Sequence, residues 1–396
     1  MRTPHLSKPL RTGFQRGFSL IEIMVGLVIG LLGIIIVMQI FLNSENSKRA
    51  TTGGNDAQVN GTIALYDIER DLRSAGHDIS SYNIIGCGLT FTPSAETNAV
   101  TVTLAPVTIN PATSVVPAGD ANTDTLLVVA GNSNGSSEGD LLTNISTSTT
   151  YVVATPSSFA INDNVMLQAA TRPSTCNLAL STVTAKSASS LTMSNGVASM
   201  AVGSLVYNLG AAPMMRAYAV RNGNLTVCDY TAYNCGSSTY TSTLNSTVWV
   251  PLASNIVSLR AQYGRDTTNT STSVMDGVID TYDQTTPASA SDTTGLQAYC
   301  SWSRVLATRL ALVARSAQYD KTTPTTATLT WAGSTVSTST PTNPTAVTIN
   351  LTSTAMSGTT SQWQNYRYKT VQTVVPLRNA IWQGSQSGWE GGSGGC

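Results

Sequence analysis

Histidine is almost missing from these 396 residues: His5 and His77 are the only two. A multi-histidine metal centre or a histidine proton relay is therefore poorly served, because imidazole is the usual ligand and shuttle near neutral pH. Charge is scarce too. Asp, Glu, Lys and Arg make up 11% of the chain, under half of the roughly 25% usual in soluble domains. The 21 basic and 21 acidic side chains balance, which excludes a strong global field for recruiting nucleic acid or an acidic membrane surface. No C-x₂-C pair, Walker segment or G-x-G-x-x-G run after a strand is present, so zinc-ribbon and nucleotide-binding readings lack their motifs. No catalytic constellation stands out. The expectation is a protein that is not an enzyme, holds no cofactor and makes no direct nucleic-acid contact.

What is present is concentrated at the N-terminus. Residues 1–17 carry Arg2, Lys8, Arg11 and Arg16 and no acid, against a mildly acidic remainder. An apolar run follows from Phe18, and after Glu22 no charged side chain occurs until Glu45. A helix over Phe18–Leu42 rises about 37 Å, enough for a hydrocarbon core of roughly 30 Å. The basic leader predicts a cytoplasmic N-terminus and a translocated body. No A-x-A-like cleavage site follows Met38, unlike an ordinary secretory signal. Glu22 is the exception in the run. A carboxylate in hydrocarbon costs about 2.5–3.5 kcal/mol on insertion scales and is usually paired or functional, although near a helix start it also suits the macrodipole.

Gln15-Arg16-Gly17-Phe18-Ser19-Leu20-Ile21-Glu22, with the apolar helix behind it, resembles the class III signal of type IV pilins and of type II secretion pseudopilins. The resemblance implies that a prepilin peptidase cuts between Gly17 and Phe18 on the cytoplasmic side and methylates Phe18, leaving a mature chain of 379 residues. It also implies that Glu22 faces the positive N-terminus of a neighbouring subunit. In an apolar bundle each charge would offset the other's desolvation.

Beyond the span, Leu65, Ile68, Leu72 and Ala75 recur at helical spacing, with Asp67, Glu69, Arg70, Asp71 and Arg73 taken mostly on other faces. An amphipathic helix over 57–76 is predicted. Thr51-Thr52-Gly53-Gly54-Asn55 lies between the two helical segments and predicts a break, since each glycine costs about 1 kcal/mol relative to Ala. Gly76 is a sensible helix stop. Asp67–Gly76, followed by Ile85-Gly-Cys-Gly88, resembles the helix end of PilW-type minor pilins, with His77 replacing the usual aromatic. His77 is read as a turn residue. Further pieces resemble the same pattern in order: Asp124–Leu126, Phe159–Leu167, Arg216–Tyr218, Val257–Gly264, Trp302–Ser316 and Arg367–Asn379.

From residue 89 onward short β-rich runs alternate with turn residues. Candidate strands are Thr125–Val129, Tyr151–Ala154, Asn164–Leu167, Ser204–Tyr207 and Thr247–Val250. Ala217–Val227 reads as a hairpin turning at Asn222-Gly223 in type I′ geometry. Arg304–Val313 fits a central strand better than a helix, with Val305, Ala307, Arg309, Ala311 and Val313 on one face and Arg304, Leu306, Thr308, Leu310 and Leu312 on the other. Gly131–Gly139, Ser181–Asn195, Thr267–Ser273, Thr285–Thr294 and Thr322–Thr345 are expected as solvated loops, and Gly391–Cys396 as a flexible tail.

Six cysteines lie on the translocated side of the span, where oxidation is expected; six allow 15 pairings. Cys228 with Cys235 is favoured, because a short loop after the hairpin brings them together; Cys87 with Cys176 comes second, leaving Cys300 with Cys396. Asp266 with Asp276, Asp280 and Asp283 is a weak Ca²⁺ candidate. Its spacing misses the Asp-x-Asp-x-Asp-Gly loop, so a solvated acidic loop is the better reading.

The expected fold is α+β: a long N-terminal transmembrane and amphipathic helix, then a large antiparallel β-rich domain. The expected organisation is a leader over 1–17, a filament-core helix over 18–43, its amphipathic continuation over 44–80, and a body over 81–396 with a subdivision near 210. The resemblance implies a minor pilin that starts or caps a type IV pilus, supporting twitching, adhesion or DNA uptake. Its implied partners are other minor and major pilins, the prepilin peptidase and the inner-membrane assembly platform. Its implied location is the inner membrane, then the pilus surface. A minor pseudopilin of type II secretion is the nearest alternative, and a membrane-anchored periplasmic enzyme the third. Trp382, Trp389 and the Ser/Thr loops are a candidate adhesive surface.

Overall fold

The computed structural model describes residues 17–170, 172–173, 175–197, 200–242, 246–267, 277–287, 298–321, 324–325, 329–334, 345–349, 351 and 362–381. The chain forms two compact units, Met1–Thr52 and Gly53–Cys396. A helix, α1 (Leu20–Ser74), begins in the first and ends in the second. In the first unit every side chain from Phe18 to Leu42 is exposed. This stretch is long and apolar enough to cross a membrane, with a mean hydropathy of 2.9 in its best window.

In the second unit α1 buries one face: Gly53, Ala57, Gly61, Ala64, Leu65, Ile68, Asp71 and Leu72. The expected break at Thr51–Asn55 is absent, and the helix continues through both glycines. Packing overrides propensity there. A Cβ on Gly61 would lie 3.1 Å from the Ala314 side chain and 3.2 Å from Val371, and one on Gly53 would lie 3.4 Å from Ser316. The small residues let the helix sit close on a sheet, where buried contacts replace the lost helix propensity.

Two open antiparallel sheets receive that helix face. One is five-stranded, in the order Val250–Ser254, Asn224–Asp229, Met214–Arg221, Leu126–Ala130, Val107–Ile109. The other is four-stranded, in the order Thr281–Asp283, Ile256–Arg265, Val305–Arg315, Tyr368–Pro376. Ile68 and Leu72 of the helix, Val128 and Val220 of the first sheet, and Leu259 and Leu312 of the second share one core. Val305–Arg315 is central, as its doubly apolar pattern predicts. One detail differs. A register shift between Gly264 and Arg265 moves Val305 to the helix side with Leu310 and Leu312, while Ala311 and Val313 pack on the opposite face against Trp331.

Six further strands form a closed barrel. Asn177–Lys186, Asn164–Gln168, Leu205–Gly210, Asp140–Ile145, Thr150–Val153 and Ser190–Met193 follow one another around it, and the last pairs back with the first. All six of these pairings are antiparallel. Val153, Val165, Leu167, Val183, Leu191 and Val206 fill the interior. Gly88–Phe91 is added in parallel to Asn177–Lys186, and Val100–Thr103 pairs with Gly88–Phe91. The barrel segment, residues 131–213, is inserted between two sheet neighbours, because Ala130 and Met214 on either side of it are partners across the five-stranded sheet. Its outer wall packs through Met166, Tyr207 and Leu209 on the sheet's second face, Leu127, Val129 and Met215. The layers run helix, five-stranded sheet, barrel.

Three sequence expectations change here. Ser181–Asn195 is largely strand rather than loop, because Val183, Leu191 and Met193 point inward while the hydroxyls between them face out. Thr322–Thr345 contains the strand Leu329–Ser334, paired with Thr345–Ile349. Thr247–Val250 is mostly turn, with Trp249 buried and the Arg221 guanidinium 4.3 Å from its ring centre. The Asn222-Gly223 turn is type I′ in sense, with φ of 50° and 69°, joining Met214–Arg221 to Asn224–Asp229. Gly391–Cys396, Trp382, Trp389, and most of Thr267–Ser273 and Thr285–Thr294 lie outside the described residues.

Candidate processing and assembly site

At the start of α1, Gly17, Phe18 and Ser19 precede the first helical turn in non-helical backbone, and all three are exposed. Ser19 is the cap residue and Glu22 the third helical position, so Ser19-Leu-Ile-Glu22 reads as a capping box. The Ser19 backbone N–H donates to Glu22 Oε2 at 3.1 Å. The carboxylate thus satisfies one of the helix's unpaired donors and sits at the positive end of its dipole. Its other oxygen is open to a second donor. A cut between Gly17 and Phe18 would place an ammonium four residues before this carboxylate, in a segment otherwise free of charge through Asn43.

The other end of α1 is tied into the head by a buried charge. Asp71 faces the sheet, against the expectation that placed it on a polar face; its side chain is 5% exposed. It accepts the Tyr218 hydroxyl and, at 2.8 Å, Arg216 Nη1. Arg216 and Tyr218 stand two apart on one strand and so point the same way. Burial raises the Tyr218 phenol well above its usual range, and the neighbouring Asp71 carboxylate adds to this. Burial disfavours the Arg216 cation, but Asp71 outweighs it and the net shift is upward. An acid directly before Leu72 in the dry stripe, with Arg-x-Tyr far downstream, was the available signal.

After Ser74 the helix stops where Gly76 predicts, with φ of 84° and its N–H donating to Val129 O at 3.0 Å. His77 is half exposed in the turn, its Nδ1 2.9 Å from Asp78 Oδ2. Asp78 is buried, accepts the Ser133 N–H at 2.8 Å, and has its carboxyl pushed up by burial. It fastens the neck of the barrel to the end of the helix.

Disulfides join Cys87 to Cys176 and Cys228 to Cys235. The first staples the segment after the helix to the barrel; the second closes a loop of the five-stranded sheet. Cys300 is also disulfide-bonded, and Cys396 lies outside the described residues. In the acidic loop the carboxylates are engaged by the chain itself. Asp266 Oδ2 accepts the Gly277 N–H at 2.9 Å, Asp280 Oδ2 the Thr267 N–H at 2.7 Å, and Asp283 pairs with Arg265. Asp276 lies outside the described residues, among which no group of three metal-ligating side chains gathers.

A long apolar N-terminal helix followed by an antiparallel β-rich domain is the arrangement a pilin-type subunit has. Residues 14–38 match the prokaryotic N-terminal methylation motif, and residues 217–379 match the family type IV pilus-assembly protein W, PilW. These two matches support a PilW-like type IV pilin, a family that implies association with the membrane and with other pilus components. No curated protein and no solved structure matches it. The PilW match begins within the strand that follows the barrel, so the barrel lies outside it.

Proposed function

We propose that this chain is a minor pilin that helps initiate or cap a type IV pilus, rather than a shaft subunit or a pseudopilin. The observation that carries this is the coupling, in one chain, of the Gly17-Phe18…Glu22 helix start to a PilW-type head. The basic leader holds the N-terminus in the cytoplasm, where prepilin peptidase cuts after Gly17 and methylates Phe18. Phe18–Leu42 then leaves the bilayer to pack among other subunits' helices, a move between two apolar surroundings that requires little net desolvation. Glu22, which accepts the Ser19 N–H at one oxygen, accepts the terminal ammonium of a neighbour at the other. The chain performs no chemistry of its own; packing is its activity.

Mass spectrometry of the N-terminal peptide in sheared surface filaments and in membranes tests this. A methylated Phe18 terminus, at a small fraction of the major subunit and recovered in sheared pili, is expected. The same terminus confined to membranes would favour the pseudopilin, and an uncut Met1 terminus in both fractions would overturn the processing step. Glu22→Leu should leave cleavage intact and reduce filament recovery about tenfold or more, consistent with loss of a desolvated charge pair.

A further inference from the structure

One outer edge of the four-stranded sheet is unpaired among the described residues. Tyr368–Pro376 is the edge strand, and among the described residues no strand pairs with its free side. Its bonding parity can be read from the flanks. Leu377 N–H donates to Leu306 O and Ser316 N–H to Arg367 O, so odd-numbered residues point their main chain at the central strand Val305–Arg315. Pro376, which has no N–H to give, falls on the even set, as an edge strand requires. Thr370, Gln372 and Val374 therefore aim their N–H and C=O groups outward. The six residues Thr370-Val-Gln-Thr-Val-Val375 carry no charge, no proline and no glycine, and Val374 is 47% exposed. Natural edges are usually blunted by a charge, a bulge or a proline within the strand; here such devices occur only at the ends, in Lys369 and Pro376. The barrel shows the opposite solution, closure without an edge.

We propose that Tyr368–Pro376 is a docking edge that accepts an extended strand from another subunit of the pilus assembly. The partner's chemistry follows from the edge: a row of main-chain donors and acceptors recognises an extended segment, and a charge-free centre favours β-branched and small polar side chains opposite it. The inference rests on the pilin reading above.

Amide hydrogen exchange at residue resolution, on the full-length protein in detergent and in the sheared pilus fraction, tests it. The amides of Thr370, Gln372 and Val374 should exchange freely in the isolated protein and slow by about 100-fold or more in the assembly, while Val371, Thr373 and Val375 stay protected in both. Val374→Pro removes one outward donor and leaves the inner ladder intact; recovery with pili should fall about tenfold at an unchanged membrane level, with Val374→Thr behaving as wild type. Outward amides already protected in the isolated protein, or still free in the assembly, overturn the docking edge and leave the pilin reading standing. A concentration-dependent dimer of purified protein that protects the same three amides assigns the edge to a second copy and also overturns it. Absence of the protein from every pilus and pilin complex removes both readings.

Discussion

The inserted barrel and the helix-bearing sheets bury apolar surface in different ways. The barrel, within residues 131–213, closes six short strands on themselves and holds only five charged residues against 25 Ser and Thr. Two of the five, Asp140 and Asp163, are buried. The sheets beneath α1 stay open, with edge strands that pair with no other strand among the described residues, and the five-stranded one is fastened to the helix through the Asp71, Arg216 and Tyr218 cluster. Closure removes the edges through which chains associate. Surfaces able to pair with neighbours by strand addition thus remain where the PilW match lies, and the barrel is built to present hydroxyls to solvent.

The largest test of this contrast is to remove the barrel. Ala130 and Met214 are cross-strand partners, so an Asn-Gly turn in place of residues 131–213 is sterically short enough to join them. If the barrel were a mere appendage, the remainder would fold. Because Met166, Tyr207 and Leu209 cover Leu127, Val129 and Met215, we expect instead that excision exposes an apolar face and that soluble-fraction assays find the protein aggregated. Well-folded excised protein by circular dichroism would show the two regions to be energetically separate.

Next come the disulfides. Cys87 and Cys176 are 89 residues apart, Cys228 and Cys235 only 7. In the chain-entropy account the longer loop contributes about 4.6 kcal/mol and the shorter about 2.4 kcal/mol. Replacing Cys87 and Cys176 together by Ala should lower the unfolding midpoint more than replacing Cys228 and Cys235, and equal shifts would count against this account. Smaller again is the charge test. Asp71→Asn should cost about 2 kcal/mol, the worth of hydrogen bonds to a charged partner, whereas Ser189→Ala on the exposed barrel surface should stay within about 0.5 kcal/mol. Chemical denaturation of both variants measures the difference.

The same contrast separates what was legible in the sequence from what was not. The core of the methylation motif lies in one stretch of eight residues, and the Asn222-Gly223 hairpin needs only local turn chemistry; both can be read without knowing the fold. Val305–Arg315 was legible because a strand apolar on both faces has few places to go except the middle of a sheet. The barrel was hidden because its closure depends on distant pairings such as Val183 with Met193, and because strands showing hydroxyls outward have the composition of a loop. The helix glycines misled for a related reason. Propensity marks Gly53 as weak, while its compatibility with a close approach to Ser316 exists only once the sheet is built. Asp71 needed both kinds of knowledge, local period and distant partner.

The smallest expected effect sits at the junction of the two regions. Asp78 is buried with its carboxyl pushed up by desolvation, holding the Ser133 N–H beside His77. An acid whose folded value is raised destabilises the fold above that value, because the native state must keep a charge where water would hold it better; the penalty fades as pH falls through the folded value toward the unfolded one. Asp78→Asn retains an acceptor for Ser133 and removes the charge. A slight rise in unfolding temperature at pH 7 is therefore expected, shrinking toward zero as the pH drops into the carboxylate range. A loss of stability at pH 7 would mean instead that the charge itself, through His77, ties the barrel neck to the helix end.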